Sequence, residues 1–245
     1  MTRVAVALCA GILLAAAPAA EARAPRPIAA TGPLGNERLS DERTVTRWAN
    51  PVRTAPIRAH PSGRSRRVAR LRALTEDGVP EVYLALRSHR VRSDRVWIRV
   101  RIPGRPNGRK GWVPRDALGR LHAVTTALRI EKSRSRATLR RRGRIVWRSP
   151  IGHGAPGMAT PSGRFYIRER LDNRGGDPVY GPLAFGTSAY SALSEWPGGG
   201  VIGIHGTNQP WLIPGRPSHG CIRVPNAAIR RLARRMPIGT PVRIR

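Results

Sequence analysis

The chain has 245 residues, 45 of them basic and 14 acidic, for a net charge of +31. Hydrophobic residues at 40% and charged residues at 24% match ordinary globular composition and exclude a collagen, a membrane bundle and a wholly disordered chain. Two cysteines, Cys9 and Cys221, exclude a disulfide framework, and an aromatic content of 5% argues against a surface built to stack nucleic-acid bases.

The N-terminus reads as an address. Arg3 gives a short positive start, Val4 to Ala17 is an unbroken apolar run, Pro18 ends it, and Ala20-Glu21-Ala22 offers small residues at the cleavage positions. This is the pattern of a secretory signal peptide, residues 1–22. The 14-residue run is short of the roughly 20 residues a membrane span needs, so no stable anchor is expected after cleavage. Cys9 is discarded with the signal, which leaves Cys221 alone in an exported chain. An unpaired thiol there is an intermolecular bridge, an inert buried group or a working thiolate.

Residues 23–43 carry Pro25, Pro27, Gly32, Pro33 and Gly35 with few large apolar side chains, and read as a flexible linker. Residues 44–122 read as a small β domain. Val96, Ile98, Val100 and Ile102 alternate on one face, Pro103-Gly104 and Asn107-Gly108 are turns, and Gly111-Trp112-Val113 restarts a strand. With Pro51-Val52-Arg53, Pro61-Ser62-Gly63 and Asp116-Ala117-Leu118, this stretch resembles a bacterial SH3-like barrel. That resemblance implies either binding to cell-wall peptides or glycans, or a spacer.

Residues 124–245 read as mostly β. Leu128-Arg129-Ile130, Ala137 to Arg140, Ile145 to Trp147, Arg164 to Ile167, Val201 to Ile204 and Pro241 to Ile244 are short, β-branched segments divided by Gly and Pro. One helix is predicted from Ala227 to Met236, with Ile229, Leu232, Ala233 and Met236 on one face and Asn226 as its cap.

The segment that carries chemistry is His205-Gly206-Thr207-Asn208, a Pro- and Gly-bearing loop, then Ser218-His219-Gly220-Cys221-Ile222-Arg223. Acyl chemistry on sulfur needs a thiolate, a base and oxyanion donors. Cys221 supplies the first and His205 the second, with glycines 203, 206 and 220 allowing close backbone approach. A zinc site from His205, His219 and Cys221 lacks the usual ligand spacing and a nearby carboxylate.

These motifs, with Thr160-Pro161-Ser162-Gly163-Arg164-Phe165 upstream, resemble the L,D-transpeptidase (YkuD-type) family over residues 124–245. The resemblance implies a β-sandwich with one or two short helices. It makes Cys221 the nucleophile and His205 the proton donor and acceptor, with Gly206 orienting one imidazole, His205 or His219. Ser218, His219 and Gly220 then support the site, the Gly220 and Cys221 amides meet the oxyanion, and Arg223 shapes the loop or meets a substrate carboxylate. It departs from the family where Ala228 replaces a common aspartate. The implied reaction is acyl transfer from a tetrapeptide stem of peptidoglycan to a diamino-acid side-chain amine. Water as acceptor would make it an L,D-carboxypeptidase, and a vestigial thiol would leave a non-catalytic wall-binding protein. No metal or organic cofactor is implied. The charge, spread over both halves of the chain, reads as affinity for anionic wall polymers rather than nucleic acid.

Overall fold

The computed structural model describes residues 34–91, 95–192 and 197–245. The expected signal peptide with Cys9, residues 23–33 of the expected linker, and Trp196 lie outside them. Among the described residues the chain is mostly β, in two sheets with one α-helix.

The first sheet has seven strands, β1 (Thr46–Ala49), β2 (Pro56–Arg58), β3 (Arg67–Arg70), β4 (Tyr83–Arg90), β5 (Val96–Arg101), β6 (Lys110–Pro114) and β7 (His122–Val124). Their order is β3-β2-β6-β5-β4-β1-β7. Ile98, Val100 and Ile102 face the core with Leu71, Tyr83 and Val113, as the period of two requires. The opposite face of β5 is not left to water. Trp97 and Arg101 are buried there, and Arg101 donates from Nε and Nη2 to the two Glu42 oxygens at 2.7 and 2.8 Å.

The linker differs from its expected flexibility from Leu34 onward. Leu39 is buried, its N–H donates to Leu86 O at 3.0 Å, and Ser40 Oγ donates to Ala85 O at 2.5 Å. One apolar side chain, one backbone bond and one hydroxyl bond along β4 hold the segment in place, which a count of Pro and Gly does not reveal.

The second sheet has ten strands: β8 (Thr126–Glu131), β9 (Arg136–Arg141), β10 (Arg144–Pro150), β11 (Gly152–Gly154), β12 (Gly163–Asp172), β13 (Leu183–Tyr190), β14 (Val201–His205), β15 (Gly215–Ser218), β16 (Ile222–Arg223) and β17 (Pro241–Ile244). The order is β10-β9-β8-β17-β12-β13-β14-β16-β11-β15. The helix α1 (Asn226–Ala233) buries Ala228, Ile229 and Leu232 against a core that includes Trp147, Phe165, Phe185 and Ile204. Pro225, not Asn226, stands at its N-cap and makes no side-chain cap bond. The Ala228 side chain belongs to that buried core, so an aspartate there would enter an apolar wall, and the Ala228 carbonyl accepts the indole N–H of Trp147 at 3.1 Å.

The two sheets share a buried polar seam. Tyr166 OH donates to Val82 O at 2.9 Å, and Thr75 Oγ1 donates to Glu169 Oε2 at 2.6 Å. Arg168 is fully buried on β12 and meets Glu81, itself fully buried, through two bonds, one of them Nε to Oε1 at 2.8 Å. Arg168 Nη2 reaches Glu76 at 2.9 Å and Nη1 reaches Tyr190 OH at 3.0 Å. Burial alone would raise the Glu76 carboxyl, but the Tyr190 hydroxyl and the Arg168 charge hold it down at about 2. At Gly239, which has φ +80°, a Cβ would sit 1.9 Å from Trp48 Cδ1, so only glycine lets the indole close this seam.

Candidate active site

One crossover, from β14 to β16, brings the sequence-distant motifs together. β14 and β16 run parallel, with Ile204 opposite Ile222 and His205 opposite Arg223. Gly203 and His205 point to the same face of β14 because side chains alternate. A Cβ added at Gly203 would lie 3.7 Å from Cys221 Sγ and 3.7 Å from His205 Cδ2. Thiol and imidazole therefore converge over one glycine, and Gly203 N–H donates to Cys221 Sγ at 3.3 Å.

His205 Nδ1 lies 2.6 Å from Gly206 O. A carbonyl only accepts, so Nδ1 carries the proton and Nε2 of the neutral ring keeps its lone pair. The choice left open by the sequence is thus made in favour of His205. His219, the other candidate, is exposed. Tyr180, in the turn before β13, sets its ring edge-on to His205 at 5.0 Å between centroids. A tyrosine in a Gly- and Asp-rich loop gives no sequence signal of that role.

The electrostatics favour a neutral pair at rest. Burial pushes the His205 imidazole down to about 4, helped by the Arg223 charge and opposed by the bond to Gly206. Burial raises the Cys221 thiol, against the pull of the Gly203 N–H and Arg223. In a neutral thiol–imidazole pair, proton transfer accompanies attack on a carbonyl rather than preceding it.

A second layer fixes the cysteine turn. Ser218 Oγ donates to Cys221 O at 2.6 Å and accepts the Gly220 N–H at 3.2 Å. Gly220 has φ +126°, and a Cβ there would meet Ile202 Cδ1 at 2.9 Å, so the turn requires glycine. Its amide is directed at Ser218 in this state, which leaves the Cys221 amide beside the sulfur. Thr160 of the upstream turn accepts the Gly154 N–H at 2.9 Å and donates to Gly220 O at 2.7 Å. Asn226 Oδ1 accepts the Thr207 N–H at 2.8 Å and packs where a Gly206 Cβ would fall. Thr160 and Asn226 buttress the two halves of the motif, Asn226 in place of the capping role its position suggested. Arg223 donates from Nη1 to Gln209 Oε1 at 2.9 Å, tying the intervening loop to β16.

The first sheet also touches the site's border. Asn107 exchanges two bonds with the Tyr190 backbone, at 2.7 and 2.9 Å, and Arg105 Nε donates to Ser191 O at 2.8 Å. Of the aromatics flanking the motif, Tyr190 is buried in the seam and Trp211 is 73% exposed.

A thiol on a strand end, facing a neutral imidazole oriented by the next residue's carbonyl, is a constellation suited to acyl transfer through sulfur. The chain belongs to the L,D-transpeptidase family: residues 125–244 match the L,D-transpeptidase catalytic domain, YkuD. It is 38% identical over 122 residues to the L,D-transpeptidase YkuD of Bacillus licheniformis, across 49% of this chain and 67% of that protein. It is 37% identical over 107 residues to YkuD of Bacillus subtilis, across 44% of this chain and 58% of that protein's length. A solved L,D-transpeptidase structure from Mycobacterium tuberculosis matches with a TM-score of 0.42 and 14% identity, over 62% of this chain and 90% of that one.

Proposed function

We propose that this chain is an exported peptidoglycan L,D-transpeptidase. The observation that carries the reading is the fixed tautomer of His205, with Nδ1–H on Gly206 O and the ring converging with Cys221 over Gly203.

In the proposed reaction Cys221 Sγ attacks the carbonyl after the third, diamino residue of a tetrapeptide stem as its proton passes to His205 Nε2. The Cys221 amide meets the oxyanion. The C–N bond breaks, His205 returns the proton to the leaving D-alanine amine, and a thioester remains. The side-chain amine of a second stem attacks the thioester and gives its proton to His205. The C–S bond breaks, the thiol is reprotonated and a 3→3 cross-link is left. Arg223 acts by shaping the loop and keeping His205 neutral. Residues 1–22 serve as the export signal, and residues 44–122 as an SH3-like module for the wall.

The test is mass spectrometry of products from the protein incubated with a tetrapeptide donor and a second stem as acceptor. The reading predicts D-alanine release and a cross-linked dimer. Tripeptide with no dimer would replace it with carboxypeptidase activity. No turnover by the folded protein would replace it with a non-catalytic wall-binding role.

A further inference from the structure

We propose that a groove on the outer face of the ten-stranded sheet, walled by residues 41–44, binds a polyphosphodiester chain that carries no bases. This site is separate from Cys221 and does not rest on the acyl-transfer reading. Measured along the sheet, β17 lies four strand spacings from β16, roughly 19 Å.

Arg164 on β12 stands opposite Arg243 on β17, and Arg243 stands opposite Arg129 on β8. Three arginines thus lie side by side on adjacent strands, with backbones about 4.8 Å apart. One row further, Arg129 is opposite Thr138, which is opposite Arg148 on β10. Like charges directly opposite each other destabilise a sheet. This face of β12 is covered by the first sheet at Tyr166 and Arg168, and the arginine row begins where that cover ends.

The nearby carboxylates do not neutralise the row. Glu42 is bound by Arg101 and lies 3.6 Å from Arg164. Asp41 Oδ1 takes the backbone N–H groups of Arg43, Thr44 and Val45 at 2.7, 2.8 and 3.0 Å. Arg129 has only a 3.6 Å contact with Glu131, and its Nε is buried with no hydrogen-bond partner among the described residues. Arg243 and Arg140 make no ion pair among those residues. A donor buried without a partner, beside cations without counter-ions, calls for an external anion.

The groove that these residues line has a volume of about 510 Å³. It runs across strands, so a linear ligand meets successive guanidinium groups. A phosphodiester repeat presents one lasting charge and two acceptor oxygens, which an arginine fork matches in pairs. The lining holds no aromatic ring, so it offers no stacking platform for nucleic-acid bases.

The experiment measures binding of the full protein to poly(glycerol phosphate) over a salt series. It compares Arg129→Ser/Arg243→Ser with Arg230→Ser/Arg231→Ser, which removes the same charge from the exposed face of α1. The groove pair is expected to weaken binding about tenfold near 0.15 M salt and to lower the salt slope by about 2, whereas the helix pair changes affinity less than about threefold. The groove pair should keep or raise the melting temperature, because it relieves opposed charges, and should leave Cys221 acylation unchanged. Equal losses in both variants would reduce the effect to net charge and overturn the site. Equal groove-dependent affinity for single-stranded DNA, or for polyglutamate of matched charge, would overturn the assignment to a base-free polyphosphodiester.

Discussion

His205→Gln is expected to slow acylation of Cys221 by roughly 10²–10⁴-fold, the usual contribution of a positioned general base. Glutamine can still donate to the Gly206 carbonyl but offers no ring nitrogen to take the thiol proton. The same variant carries a stability signature. In the folded protein His205 titrates at about 4, against an ordinary value of 6.5. Between those values the unfolded chain binds the extra proton, so stability rises with pH across the window and is lost as pH falls through it. The full difference is worth roughly 3 kcal/mol. Urea unfolding of wild type at pH 7 and near pH 4 should show that loss, and His205→Gln should lack this component. An identical pH slope in both proteins would mean that His205 is not held neutral by burial.

Arg168→Met is expected to cost about 3 kcal/mol, because it leaves the fully buried Glu81 carboxylate with only the half-exposed Arg72, whose Nη2 lies 3.1 Å away, as its ionic partner. Burial disfavours the Arg168 charge, and the Glu81 bonds hold it in place. Adding Glu81→Gln to Arg168→Met should recover part of the loss, since the buried carboxylate that Arg72 alone must balance goes with it. Chemical unfolding of the two singles and the double closes the cycle. A loss in Arg168→Met below about 1 kcal/mol would show that the seam is solvated in solution. Because Arg168 and Tyr190 also meet Glu76 across the seam, the wild type is expected to unfold in one transition rather than sheet by sheet.

The pairing of Cys221 with His205 was legible in the sequence because each sits in a short, chemically distinctive motif. Cys221 among Ser218, His219 and Gly220 has few readings as a structural thiol, and His205 ends a β-branched run that reads as a buried strand. Six of the ten strands of the second sheet were legible for the same local reason, whereas β11, β13, β15 and β16, rich in Gly, Ala, Ser and Pro or only two residues long, were not. The partners of the pair were not. Whether Gly206 faces His205 or His219 depends on a side-chain torsion, and Tyr180 reaches His205 only through the fold of the 173–181 loop. Thr160 and Asn226 act across 60 and 19 residues, distances over which spacing carries no information. The Asn226 cap is instructive: a residue with cap chemistry at a helix start was taken instead by the Thr207 amide, because a buried N–H there has the greater need. The arginine row was hidden for another reason. Arg129, Arg164 and Arg243 are ordinary outward-facing strand residues in sequence, and only the pairing of β17 with β8 on one side and β12 on the other makes them neighbours.

Acyl transfer through sulfur requires an activated Cys221. Intact-mass spectrometry of the protein incubated with a carbapenem, beside a Cys221→Ala control, measures it directly. One covalent adduct on the wild type and none on the control is the predicted result. A folded wild type that stays unmodified with its thiol free, or a control that is modified equally, would contradict it.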